Sequence, residues 1–196
     1  MARQPSASVR ERILDAATDL FDRYGVHAVG MQRIIDAAGC GKQLLYREFG
    51  SKDELVTAYL HRCEGSWERS FAAAVEVGER PEEQLVELVR VVGRSVPGPR
   101  GCPIRNTYAE FPEEGHPVHR TALEHFSAVR GQICELARRT SAADPQRLAD
   151  RILLIINGLF TSGSTLSTDE NARLAVELVQ DVIAVETATT RTSSAV

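Results

Sequence analysis

Between Met31 and Glu48 two short segments of helical character are separated only by Gly39-Cys40-Gly41. Three residues with two glycines are too few for anything but a tight turn, so the two helices must lie close to each other at a fixed angle. That arrangement is the signature of a helix-turn-helix. Apolar residues set it up on both sides: Ile34 and Ile35 in the first helix, Leu45 and Phe49 in and after the second. A segment at about Ser8–Tyr24 precedes them. In it Ile13, Leu14, Ala17, Leu20, Phe21 and Tyr24 recur at helical spacing, which gives one apolar stripe.

The rest of the chain repeats the helical period and offers almost nothing that reads as strand. Ser51 caps a long helix from Lys52 to about Val77, with Asp53 and Glu54 in its first turn, where the helix dipole favours acids. Pro81 opens a further helix carrying Leu85, Leu88, Val89 and Val92. Pro97–Gly101 reads as a loop. Helices are then predicted at about 104–111, at about 117–140, from Asp144-Pro145 through Phe160, and from 167 to about Glu186. The expectation is an all-α fold of about nine helices. It has a three-helix head at 1–52, a helical bundle at 53–187 for ligand binding and dimerisation, and a polar, disordered tail at 188–196.

Composition is that of a soluble globular protein, with 43% hydrophobic and 26% charged residues. No apolar run approaches the roughly 18–20 residues of a membrane span, and the start lacks the apolar core of a secretory leader. Cys40, Cys63, Cys102 and Cys134 form no Cys-x-x-Cys pair or disulfide framework, which points to a reducing cytoplasm. The net charge of −4 hides a split: residues 1–52 carry +2 and the remainder −6. A basic head on an acidic body suits an anionic partner for the head.

The strings ILDAATDLFDRYG and IIDAAGCGKQLLYREFGSKDELVTAYL resemble the DNA-binding head of TetR-type (tetracycline-repressor-like) transcriptional regulators. Leu-Tyr-x-x-Phe followed by Ser-Lys-Asp-Glu-Leu carries most of the likeness. The resemblance covers about the first quarter of the chain. It implies an all-helical homodimer whose head binds double-stranded DNA, most often as a repressor, and whose divergent body binds a small molecule. The sequence departs from the family pattern at Gly30, at Cys40-Gly41 and at Ile34-Ile35. Two hydroxyl-bearing residues that could cap helices and touch phosphate are thereby missing.

With Leu45 and Phe49 turned inward, Lys42, Gln43, Tyr46 and Arg47 face outward. A helix fits the major groove, where Gln43 could pair with adenine and Lys42 with guanine or phosphate. Tyr46 suits a phosphate or a thymine methyl, Lys52 a phosphate at a helix start, and Arg33 the flanking backbone. A homodimer would match a pseudo-palindromic operator. Leu148, Ile152, Ile155, Leu159, Leu174, Leu178 and Val182 are expected at the dimer interface, or in the subunit's own core, with Gly158 and Gly163 allowing close helix approach. An unidentified small-molecule effector is expected against Trp67, Phe71, Tyr108, Phe111, Phe126 and Phe160, with Cys102, Asn106, Glu110 and Asn157 as polar contacts. Plain core packing is the competing reading for each aromatic.

Two other functions compete. His116, His119 and His125 with Glu110 and Glu113 suggest metal-assisted hydrolysis, but His116 and His119 lie three apart with a proline between them, a poor ligand pair. No metal or cofactor is expected, and the sequence has no phosphate loop, nucleophile elbow or His-Glu-x-x-His motif, so no enzyme is expected. A helical adaptor that binds protein is the remaining alternative.

Overall fold

A computed structural model describes residues 8–95, 100–162 and 165–192, without side-chain detail at 162 and 189–192. Gly163 and most of the loop at 97–99 therefore lie outside the described residues. Within them the chain is all α, with nine helices and no strand: α1 Val9–Tyr24, α2 Met31–Ala38, α3 Lys42–Glu48, α4 Lys52–Val77, α5 Pro81–Arg94, α6 Pro103–Glu110, α7 Pro117–Arg138, α8 Pro145–Ser162 and α9 Thr168–Thr192.

The chain forms two compact units. Unit 1 holds residues 1–63 and 103–123, and unit 2 holds 64–102 and 124–196. Residues 1–52, expected as the head, all fall in unit 1, which also holds the start of α4, α6 and the first turns of α7.

In unit 1, α1 packs on both α2 and α3. Ile13, Ala17, Phe21, Val29, Ile34, Leu45, Phe49, Leu55 and Tyr59 are all buried and form one apolar centre. Phe21 and Tyr59 meet edge to face with ring centroids 5.3 Å apart. The turn between α2 and α3 depends on Gly39, whose φ of 59° is left-handed. From that conformation the Gly39 N–H reaches the Asp36 carbonyl and the Cys40 N–H reaches the Ile35 carbonyl, closing the end of α2.

In unit 2, α5, α8 and α9 pack against one another. Their core includes Leu85, Leu88, Val89, Val92, Leu148, Ile152, Ile156, Leu159, Val179 and Ile183, joined by Ile133 and Leu136 of α7. Two buried polar groups are satisfied locally: Asn171 donates to the Leu159 carbonyl at 3.0 Å, and buried Glu186 accepts from Arg147 and Arg151. Buried Gln84 donates to the Val75 and Gly78 carbonyls, and its Oε1 accepts no hydrogen bond from the described residues. The last helix continues to Thr192, past the point at 186 where its polar sequence suggested an end. Residues 193–196 of the expected tail lie outside the described residues.

Candidate nucleic-acid interface

The geometry of α3 follows from its two anchors. Leu45 and Phe49, four apart, are buried in the core of unit 1. The same periodicity leaves Lys42, Gln43, Tyr46 and Arg47 exposed, with Tyr46 at 40%. These four side chains share the solvent side of a seven-residue helix with its start open. Arg33 is exposed on α2, and its guanidinium lies 3.9 Å from the centre of the Tyr24 ring. Arg47 pairs with its neighbour Glu48 at 3.1 Å, which offsets an acid on this otherwise cationic surface.

Lys52 stands at the start of α4, where the Ser51 hydroxyl accepts the Glu54 N–H at 3.1 Å. The Lys52 ammonium is half-buried. Burial lowers its pKa from the ordinary lysine value, while the Glu110 and Asp53 carboxylates pull it back up. Unit 1 therefore presents Lys42, Gln43, Tyr46 and Arg47 on one helix, with Arg33 on the helix before it and Lys52 on the helix after.

Sequence reasoning missed the polar braces behind this surface. Arg10 of α1 donates to the Glu48 carbonyl at the end of α3, and its guanidinium lies 4.1 Å from the centre of the Phe49 ring. Arg62 of α4 bridges Glu11 and Asp15 of α1. The Tyr59 hydroxyl donates to Asp22. Arg10 lies on the polar side of its helix, so its spacing marks it only as surface; nothing in the sequence pairs it with residue 48.

The residues expected to meet an effector divide between the units. Asn106, Tyr108, Glu110 and Phe111 belong to unit 1. There Phe111 is buried between the rings of His27 and His116, and Tyr108 stacks on His119. Both carboxylate oxygens of Glu110 accept backbone N–H groups, from Val26 and His27. Trp67, Phe71, Cys102, Phe126, Asn157 and Phe160 belong to unit 2. Trp67 donates its indole N–H to Gln132 at 2.6 Å, and Gln132 in turn donates to Glu68. His119 uses Nδ1 on the Phe111 carbonyl, and His116 faces Asp53. Among the described residues no group of three or more His, Cys, Asp or Glu side chains is placed to hold a metal ion. Among them, too, no helix is long and apolar enough to cross a membrane.

The expected interface residues divide as well, and three of them take the alternative place, in the subunit's own core. Leu148, Ile152 and Leu159 have essentially no accessible surface, because they point into the core of unit 2 beneath α9 and α5. The accessible apolar surface lies one residue round the helix, at Leu154, which is 70% exposed. On α9 it follows Leu178, 54% exposed, and Val185, 58% exposed, with Leu174 and Val182 half-buried beside them. Ile155 is half-buried, and a Cβ at Gly158 would meet nothing within 4 Å.

Comparison with known proteins agrees with this geometry. The profile of "Bacterial regulatory proteins, tetR family" matches residues 13–59, which run from the first buried residue of α1 through α3 into α4. An uncharacterized HTH-type transcriptional regulator of Mycobacterium tuberculosis is 37% identical over 86 residues, 44% of this chain, and the match spans 43% of that relative's length. The HTH-type transcriptional regulator BetI of Rhizobium meliloti is 25% identical over 89% of this chain and 87% of its own. A crystal structure of a TetR-family transcriptional regulator from Streptomyces coelicolor superposes with a TM-score of 0.86 at 27% identity, covering 91% of this chain and 96% of that one. The head of the chain, residues 13–59, thus matches the tetR family of bacterial regulatory proteins, and the chain as a whole shares the all-helical fold of a TetR-family transcriptional regulator.

Proposed function

We propose that the protein is a ligand-responsive transcriptional repressor that binds a pseudo-palindromic DNA operator as a homodimer and is released by a small-molecule effector. The observation that carries the DNA-binding reading is α3. Two of its side chains are sunk in the core, and its polar face, Lys42, Gln43, Tyr46 and Arg47, is left free for a major groove. Phosphate contacts from Arg33 and Lys52 would fix the register, while Gln43 and Lys42 would read bases. One such helix supplies few contacts. A two-fold dimer doubles them and sets half-sites about 34–36 Å apart or a multiple of that.

The exposed apolar row of Leu154, Leu178 and Val185, flanked by Ile155, Leu174 and Val182, supports self-association. Gly158 would let a second copy approach α8 closely. Release by an effector requires a ligand with unequal affinity for the DNA-competent and DNA-incompetent states. Trp67, Phe71 and Phe126 in unit 2 are the apolar side chains we assign to it.

The test is a gel shift with the full chain on DNA from upstream of its own gene. Tyr46→Ala and Lys52→Ala should each weaken binding by roughly tenfold, the scale of one lost charge-assisted or base contact, with dimerisation and helicity kept. Affinity should also fall steeply with salt as counterions are released. Equal affinity of both variants and the parent for the operator would remove the assignment of this surface.

A further inference from the structure

The turn between α1 and α2 leaves the N–H groups of Val26 and His27 outside any helix. Both are taken by one side chain distant in sequence: Val26 N–H donates to Glu110 Oε1 at 3.1 Å, and His27 N–H to Oε2 at 2.6 Å. The contact is returned, since His27 Nε2 lies 2.6 Å from the Glu110 carbonyl oxygen, which can only accept. The His27 ring also lies on Phe111, with centroids 4.8 Å apart. Phe111 stacks in turn on His116 at 4.7 Å. His116 Nε2 is 3.4 Å from the Asp53 carboxylate in the first turn of α4. The end of α6 is thus tied to the turn that leads into α2 and to the helix that follows α3. The segment that makes these ties, residues 103–123, is the part of unit 1 that the chain reaches from Cys102 and leaves at Leu123.

A carboxylate that accepts two backbone N–H groups forms charge-assisted bonds, stronger than neutral ones. Glu110 is half-buried and lies outside the apolar centre of unit 1. What the carboxylate fixes is the path of the turn at 25–30, and through it the seating of α2 against α1. We propose that Glu110 is a positioning residue for DNA binding, which clamps the α1–α2 turn and holds the helix-turn-helix in its binding geometry without touching DNA. The proposal rests on the DNA-binding reading of α3. A turn that is free in the unbound protein must be ordered on binding, and that ordering lowers affinity.

The experiment pairs two readouts on the full chain. In amide hydrogen exchange the Val26 and His27 N–H groups should be protected in the parent, and in Glu110→Gln, which keeps only one acceptor oxygen, at least one of them should exchange faster. In gel shifts on the upstream DNA, Glu110→Gln should bind roughly tenfold more weakly, the loss of one charge-assisted contact. Glu110→Asp keeps the charge and should recover much of that loss. The salt dependence of Glu110→Gln should match the parent's, whereas that of Lys52→Ala should be shallower, because only a phosphate contact releases counterions. Amides that exchange alike in the parent and in Glu110→Gln would overturn the clamp whatever the DNA does. If the parent binds and Glu110→Gln binds equally well, or if Asp recovers nothing, the positioning role fails while the DNA-binding reading stands. If the parent binds no upstream fragment, both fail together.

Discussion

Gly101 offers the sharpest stability test in unit 2. It is buried, with φ at +69°, and a Cβ added there would lie 2.2 Å from the Phe160 carbonyl oxygen and 3.2 Å from its carbon. Two costs follow for Gly101→Ala. A left-handed conformation costs an L-residue about 1–2 kcal/mol. Displacing a packed backbone carbonyl near the end of α8, where no flexible side chain can yield, costs a further ~1–3 kcal/mol by analogy with overpacked cores. The expected destabilisation is therefore about 2–5 kcal/mol, a large share of the ~5–15 kcal/mol that holds most domains folded. Gly131 supplies the opposite case. It sits mid-helix in α7, exposed, with nothing within 4 Å of an added Cβ. Gly131→Ala should stabilise by about 0.8–1 kcal/mol through helix propensity alone. Urea unfolding of parent and both variants at one protein concentration should move the midpoint in opposite directions with similar slopes. If Gly101→Ala stayed within about 0.5 kcal/mol of the parent, the ordinary surface range, the close approach of Gly101 to α8 would be wrong, and with it the fixed point one residue before the chain passes into unit 1.

If the proposed dimer forms through this surface, Leu178→Glu should make the chain monomeric in sedimentation while helicity is retained, because the side chain is more than half exposed on the single chain and its change removes nothing from the core. A variant that sediments as the parent does would place the self-association surface elsewhere. A pH effect is expected at His125, whose pKa is held below its ordinary 6.5 by burial, with Glu64 and Glu68 pulling upward. As pH falls the unfolded chain takes the proton first, so this stability is whole above about pH 6.5 and is lost below it. Denaturation at about pH 7.5 and pH 5 should show His125→Gln losing less stability than the parent between the two; equal losses would mean that His125 is freely hydrated in the folded chain.

The helical elements were legible because each carries its own signal. The bounds of α2 and α3 follow from Ile34, Ile35, Leu45 and the glycines between them, and the start of α4 from Ser51. The outward face of α3 followed from the same period. What periodicity cannot supply is the identity of the surface that each apolar arc meets. On α8 the arc covers more than half the helix, and sequence could not tell that Leu148, Ile152 and Leu159 turn inward while Leu154 turns out. Nor could it show that Glu110 serves Val26 and His27, since a carboxylate at the end of a short helix looks the same whether it meets solvent, ligand or backbone. The long-range polar braces are invisible for the same reason: Arg10 and Glu48 stand 38 residues apart with no shared pattern. At the end of α9 the polar residues suggested fraying, yet Thr187 turns its hydroxyl back onto the Ile183 carbonyl and the helix runs on.

The braces also explain how the head tolerates glycine at two helix starts. Gly30 and Gly41 hold extended conformations suited to an N-cap, and their carbonyls accept the N–H groups of the third and fourth residues of α2 and α3, but neither has a side chain to cap the free donors of the first turn. Nothing lies within 4 Å of a Cβ at either position, so serine fits without strain. Glycine is only a few tenths of a kcal/mol worse than serine at such a site, so the double variant Gly30→Ser/Gly41→Ser should gain about 0.5 kcal/mol in urea unfolding. For α3 the holding force sits at the other end, where Arg10 donates to the Glu48 carbonyl and covers Phe49. A cap at residue 41 and the Arg10 contact touch opposite ends of a seven-residue helix and share no partner. Their effects should therefore add, with Gly41→Ser gaining the same amount in the Arg10→Ala background as in the parent. In gel shifts a serine hydroxyl at 41 should raise operator affinity without steepening the salt dependence, because a neutral donor to phosphate displaces no counterion. A double variant less stable than the parent, or a gain that disappears with Arg10, would mean that α3 is held from its start, and the account of a helix anchored by its core residues and its far end would have to be given up.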